Sequence, residues 1–190
     1  IGITAEGDML AALGYRYGSD EAIAFSTEVH KTLACESYSA SVDLAAERGA
    51  FGIFNFDLEK NNPFINRILD ARPGLADKMK KYGRRNIALL TIAPTGSVSI
   101  CTQTTSGIEP AFTIYYTRRK KVNPNDTDTH VDYVDVSGDM FQEFKVFHHG
   151  FIKWLEVNGY NIDEVKAYSD EKMDELIAIS PYYKSTANDV

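Results

Sequence analysis

The chain has 190 residues, with 20 Lys and Arg against 27 Asp and Glu, a net charge of −7 and a pI near 5.1. Its 44% hydrophobic and 25% charged residues are those of a folded globular protein and exclude the disordered, collagen-like and disulfide-scaffold classes. An acidic balance without a basic tail argues against gripping duplex nucleic acid, which needs clustered Lys and Arg, and no apolar run approaches the roughly 20 residues of a membrane helix.

The first expected element is a helix over 4–13, ended by Gly14 and Gly18. Ser19 then caps a much longer helix that runs to Arg48 and stops at Gly49, with Asp20 and Glu21 on its positive end. Ala22, Phe25, Val29, Leu33, Ala40 and Leu44 form its expected buried stripe. The small residues Ala34, Cys35, Ser37, Ser39, Ala40 and Ser41 give it a slim middle against which a sheet could pack closely. Residues 49–63 read as a loop that buries Phe51, Phe54 and Phe56. A short helix is expected over 63–71, and another starts with Pro73 at its first position and closes at Gly83. Residues 86–93, NIALLTIA, are almost continuously apolar, which predicts a strand buried on both faces as in a parallel α/β sheet. Pro94-Thr95-Gly96 breaks it.

Further along, 111–116 is a strand candidate, 123–126 a turn, and 131–136 an exposed hairpin strand. Met140, Phe141, Phe144, Phe147, Phe151, Trp154 and Leu155 are read as an aromatic stripe on one helix ending at Gly159. A last helix covers 162–178, with Ser180-Pro181 terminating it. The composition divides the chain into an α/β segment over 1–120 and a helix-rich extension over 121–190.

The stretch with chemical content runs from the expected strand at Asn86 through to Pro110, NIALLTIAPTGSVSICTQTTSGIEP. Its turn, Pro94-Thr95-Gly96-Ser97-Val98-Ser99, presents small residues, successive backbone amides and three hydroxyls. At a helix N-terminus such a turn can hold an anion, phosphate being the natural ligand, and it is equally a good plain turn. Two cysteines, Cys35 and Cys101, without an apolar signal segment fit a reducing, cytoplasmic protein, and both are read as packed side chains. His148 and His149 are adjacent and point about 100° apart on a helix, so they cannot chelate one ion together. Asp126, Asp128, Asp132 and Asp135 miss the calcium-loop spacing and read as a solvated acidic face. Arg118-Arg119-Lys120-Lys121 reads as an exposed charge run at a strand exit, with contact to a nucleotide phosphate as the functional alternative.

IAPTGSVS, then TSGIEPAF and YTRR, resembles the catalytic subunit of ribonucleotide reductase, most closely its adenosylcobalamin-dependent class II branch. GITAEGDMLAALGYRYGSDEAIAF and SPYYKSTANDV extend the resemblance over nearly the whole chain. The resemblance implies an α/β fold, part of a ten-stranded α/β barrel, with this chain in its second half. It implies that Thr95, Gly96, Ser97, Val98 and Ser99 bind the substrate's diphosphate or triphosphate, while Glu109 of the SGIEP signature braces the loop. For the parent protein it implies a ribonucleotide substrate, adenosylcobalamin, a thioredoxin-like reductant and the remaining barrel segments as partners.

The family's radical cysteine sits in an Asn-x-Cys-x-Glu pattern that neither Cys35 nor Cys101 matches, and its C-terminal reducing pair has no counterpart here. No catalytic residue is therefore assigned, and the isolated chain is expected to be inactive. An opening on Ile1 rather than Met fits a piece of a longer polypeptide. Two alternatives stay open: a class I subunit served by a separate metal-containing radical subunit, and a non-catalytic phosphate-binding or assembly domain.

Overall fold

A computed structural model describes residues 1–123, 125 and 128–189. Its contacts divide the chain into two units, one made of Ile1–Ile3 with Asp20–Ala93 and the other of Thr4–Ser19 with Pro94–Val190. The division falls just ahead of the PTGSVS motif, whereas the composition changes near residue 120. Among the described residues no helix is long and apolar enough to cross a membrane.

The first unit is built on α2 (Asp20–Arg48), whose 29 residues carry Asp20 and Glu21 in the first turn and Arg48 in the last. Gly49, at φ +81°, ends it as the sequence predicts. Its buried face differs from the predicted stripe. Ala22 is buried, but Ala40 and Leu44 are exposed, and the core is made instead by Ala34, Cys35, Tyr38, Val42 and Ala45. The slim middle does receive a close neighbour, and that neighbour is helical. Short α3 (Phe56–Glu59) interrupts the expected loop. Beyond it, α4 (Pro63–Ala71) and α5 (Leu75–Tyr82) bring Ile65, Ile68, Leu75 and Met79 against the small side chains of α2. Asn62 caps α4 by accepting from the Phe64 amide, and Pro63 opens it. For α5 the N-cap is Gly74 at φ +83°, so Pro73 precedes the helix rather than starting it.

Residues 86–93 depart most from expectation. They form no strand, and Ile87 and Ile92 are 63% and 67% exposed. A strand exists only through a neighbour's ladder, and among the described residues the segment's main-chain partner is the chain start alone: the Ile1 amino group donates to the Leu89 carbonyl, and the Thr91 amide to the Ile1 carbonyl. Leu89 and Leu90 still pack on the α2 core. The segment's entry is held by Arg84, which donates to the carbonyls of Asn86 and Ile87 at 2.5 and 2.6 Å and to Glu59 at 2.6 Å. The Ser41 hydroxyl accepts from the Asn86 amide at 3.1 Å.

The second unit contains α1 (Glu6–Ala12), α6 (Gly96–Thr102) and an antiparallel sheet of order β1-β3-β2. Its strands are β1 (Tyr115–Lys121), β2 (Tyr133–Val134) and β3 (Met140–Phe147). The expected 111–116 strand thus begins only at Tyr115. The aromatic stripe is not one helix: its first half is β3, paired from Tyr115↔Phe147 to Lys121↔Phe141, and only its second half is α7 (His149–Val157). The last predicted helix is likewise two, α8 (Ile162–Lys166) and α9 (Asp170–Ala178), because the Ser169 side chain accepts from the Lys172 amide and starts a new helix. Phe147, Phe151, Leu155, Val165, Met173 and Leu176 form the core here.

The predicted 123–126 turn includes Pro124 and Asp126, which lie outside the described residues, as does the Asp126 member of the acidic set. Asp132 and Asp135 are backbone acceptors of the hairpin: Asp132 takes the Glu143 amide, and Asp135 takes those of Ser137 and Asp139. Within the basic run, Arg119 pairs with Glu143 and Lys121 with Asp139.

Phe151 is fully buried, so Phe151→Ala is expected to cost about 3–5 kcal/mol, against within about 0.5 kcal/mol for exposed Ile87→Ala, both read by urea unfolding of the chain. The opposite ranking would mean that 86–93 is a buried strand after all.

Candidate functional site: the Thr95–Ser99 loop

Pro94 ends the extended segment and Thr95 turns it into α6 from a left-handed conformation, φ 49° and ψ 32°. That region is costly for a β-branched residue and persists only where the surroundings over-determine it. Here the Thr95 side chain supplies the constraint. Its hydroxyl accepts from the Gly107 amide at 2.8 Å and shares a hydrogen bond with the Thr4 hydroxyl at 2.8 Å, while the Gly107 carbonyl accepts from the Glu6 amide at 3.2 Å. Gly107 is buried at φ 52°, a geometry that suits glycine. The two motifs of the sequence, PTGSVS and SGIEP, are thus joined by one hydroxyl.

The clasp leaves the first turn of α6 facing outward. Gly96, Ser97 and Val98 are exposed, and by helix geometry their amides lack acceptors within the helix. A Cβ added to Gly96 would meet nothing within 4 Å, so its backbone is open to close approach. The three hydroxyls are not equivalent. Thr95 is used in the clasp, and Ser99 donates to the Gly96 carbonyl at 2.8 Å. Ser97 is the one whose hydroxyl is uncommitted among the described residues. The loop therefore offers a cluster of amides with one serine rather than three serine-type ligands.

Cys101 lies exposed on α6, which corrects its reading as a packed side chain, whereas Cys35 is buried as expected. Glu109 is exposed, and its amide closes a turn onto the Ser106 carbonyl. The bracing comes instead from α1, which the sequence did not single out. Gly7 sits so close that a Cβ there would lie 2.6 Å from the Glu109 carbonyl oxygen and 2.7 Å from Pro110 Cα.

One residue on, Asp8 joins the same segment twice: its carboxylate accepts from the Thr105 amide at 2.9 Å, and its own amide donates to the Thr105 hydroxyl at 3.2 Å. Its other oxygen meets His148 Nε2 at 2.6 Å and accepts from the Tyr182 hydroxyl at 3.1 Å. Burial alone would raise the Asp8 pKa. The bonds and charge of His148, with the donors from Thr105 and Tyr182, outweigh it and hold the carboxyl below its ordinary 3.8. Burial, reinforced by the Asp8 charge, pushes the Tyr182 phenol well up, so it keeps the proton it donates. Sequence separations of 97 to 174 residues hide this cluster from any local pattern.

Because the folded-state pKa of Asp8 is depressed, its stabilisation is complete above the ordinary value of 3.8 and fades as pH falls through the lower folded value. Asp8→Asn should therefore be less stable than the parent chain at about pH 6, with the gap closing towards about pH 2, as read by urea midpoints. A gap that is constant with pH would show that the carboxylate charge is not what holds the cluster.

A family model for the ribonucleotide reductase barrel domain matches residues 1–188. A vitamin B12-dependent ribonucleoside-diphosphate reductase of Mycobacterium tuberculosis is 36% identical over 118 residues, covering 62% of this chain and 14% of that protein. A protein of the same name from Thermoplasma acidophilum is 34% identical over 120 residues, 62% of the chain and 13% of that protein. The ribonucleoside-diphosphate reductase subunit alpha of Treponema pallidum is 29% identical over 124 residues, 64% of the chain and 15% of that protein. The chain thus spans only about a seventh of the length of these relatives. With both motifs in one clasped loop and the family model matched from end to end, this chain belongs to the ribonucleotide reductase barrel-domain family.

Proposed function

We propose that this chain is the part of a ribonucleotide reductase catalytic subunit that holds the substrate's phosphates, in a parent that reduces ribonucleotides to deoxyribonucleotides for DNA synthesis. The observation that carries the reading is the first turn of α6, where Gly96, Ser97 and Val98 present exposed amides behind a Thr95 that is held by its own hydroxyl. A diphosphate or triphosphate placed there would accept from the amides and from the Ser97 hydroxyl, and the positive end of the helix would favour its charge. Phosphate is remote from the 2′-carbon that reacts. The loop's role in the reaction is therefore to orient the ribose, using binding energy from a part of the substrate that does not change.

The names of the Mycobacterium and Thermoplasma relatives support adenosylcobalamin as the parent's cofactor, which would supply the radical. Of this chain's histidines, His148 is committed to Asp8 and His130 is exposed beside Asp132, and none is assigned to hold the cofactor. No step is assigned to the cofactor on this segment. The same holds for the thiol chemistry, which belongs with the rest of the barrel, the second half of which this chain would form. The name of the Treponema relative leaves a subunit with a separate radical-generating partner as the second reading.

Titration of the chain with ADP should shift the amide resonances of Thr95 to Ser99 selectively, while adenosine should leave them in place. Ser97→Pro removes one amide and the free hydroxyl within a helix turn that tolerates proline, and it should weaken ADP binding by about 10-fold or more. Equal response to adenosine and ADP, or unchanged affinity in Ser97→Pro, would rule out the phosphate role. No ribonucleotide should be reduced by the chain alone, and turnover by it would overturn the division of labour.

A further inference from the structure

We propose that His148 is a positioning residue for the phosphate loop, acting through Asp8 on the backbone against which Thr95 closes. The inference rests on the phosphate reading of that loop. His148 is itself fixed before it meets Asp8. It occupies the N-cap of α7, directly after β3, and its amide donates to the Ile114 carbonyl at 2.8 Å. Its ring packs edge-on against Tyr182, with centroids 5.6 Å apart. Gly150 makes the arrangement possible, since a Cβ there would collide with the Tyr182 hydroxyl and crowd Asp8 Oδ1 and His148 Nε2.

From this anchor the connection runs through single bonds. His148 Nε2 donates to Asp8 Oδ1 at 2.6 Å, and Asp8 Oδ2 accepts from the Thr105 amide at 2.9 Å. Two residues later, Gly107 donates to Thr95 Oγ1 at 2.8 Å, and the Glu6 amide, two residues before Asp8 on α1, donates to the Gly107 carbonyl at 3.2 Å. Residues 105–107 are therefore tied to α1 at both ends, and their last member sets the side chain that holds α6 in its left-handed start. Asp8 Oδ1 takes two donors, from His148 and Tyr182. The imidazole is the shorter contact, and both groups are largely withdrawn from solvent, with side chains 15% and 14% exposed. With the imidazole gone, Tyr182 and Thr105 would be the carboxylate's remaining side-chain and backbone donors, and the aim of Asp8 at Thr105 would loosen.

A residue of merely structural weight would lower thermal stability without moving a loop on another element. The test compares His148→Ala with His148→Gln, whose Nε2 can reach the same carboxylate. Amide spectra are recorded first without ligand and then in an ADP titration. Expected is a displacement of the Thr105, Gly107 and Thr95 to Ser99 resonances in His148→Ala even without ADP. Its ADP affinity should be weaker by about 10-fold, in line with loss of one charge-assisted bond, and His148→Gln should return both to near the parent values. If His148→Ala fails to fold, His148→Asn, whose shorter amide cannot reach Asp8 Oδ1 as Nε2 does, takes its place: displaced loop resonances and weaker ADP binding uphold the proposal, and parent-like ones overturn it. An unmoved loop with unchanged ADP affinity in a folded His148→Ala overturns it while leaving the phosphate reading intact. Absence of ADP binding in the parent chain removes the phosphate reading and this inference with it.

Discussion

One hydroxyl, Thr95 Oγ1, determines how the loop is presented. It accepts from Gly107, bonds to Thr4 and belongs to a residue whose left-handed backbone would be unfavourable without such ties. Thr95 starts α6 from that conformation, and the first residues of the helix, Gly96 to Val98, are exposed. The Thr95 hydroxyl is consumed in those ties. Thr95 is thus, by its side chain, the pin of the loop, and in the proposed phosphate role the contacts would fall to the backbone of Gly96 to Val98 and to Ser97.

Around that pin the second unit is arranged as a set of braces. α1 supplies them through Glu6, Gly7 and Asp8, three consecutive residues that each face the 105–110 backbone: one through its amide, one through the absence of a side chain, one through its carboxylate. Short helices such as α1 and α6, with 7 residues each, are weak on their own, so their geometry is dictated by these tertiary ties. In the first unit a comparable task falls to Arg84, whose guanidinium lies between the rings of Tyr38 and Phe51 and holds the carbonyls that lead into residues 86–93.

Much of this was legible in the sequence because it is local. The limits of α2 and α4 are set by Gly49, Asn62 and Pro63, and the PTGSVS turn is read correctly as a turn that opens a helix. The failures share one cause, which is that pattern reports what a segment suits and not what it meets. Phe141, Phe144 and Phe147, spaced by three, mimic a helix stripe, yet cross-strand pairing with β1 makes them strand residues, with Phe144 on the opposite face from the other two. The run at 86–93 has the composition of a buried strand but lacks a neighbouring strand among the described residues. On α2, two adjacent registers of small and apolar residues competed, and the long side chains of Ile65, Ile68, Leu75 and Met79 selected the one containing Tyr38 and Val42. The Asp8, His148 and Tyr182 cluster had no local signal at all, since its members are brought together only by the tertiary fold.

The most direct measurement of the clasp is the affinity of Thr95→Val for ADP by isothermal titration, because valine keeps the shape and removes only the pinning oxygen. If Thr95 Oγ1 sets the loop, affinity falls by about 10-fold or more, the Gly107 amide resonance moves and the remaining core is undisturbed. Parent-like affinity with Gly107 unmoved would mean that the clasp does not set the loop, and the central claim would fail.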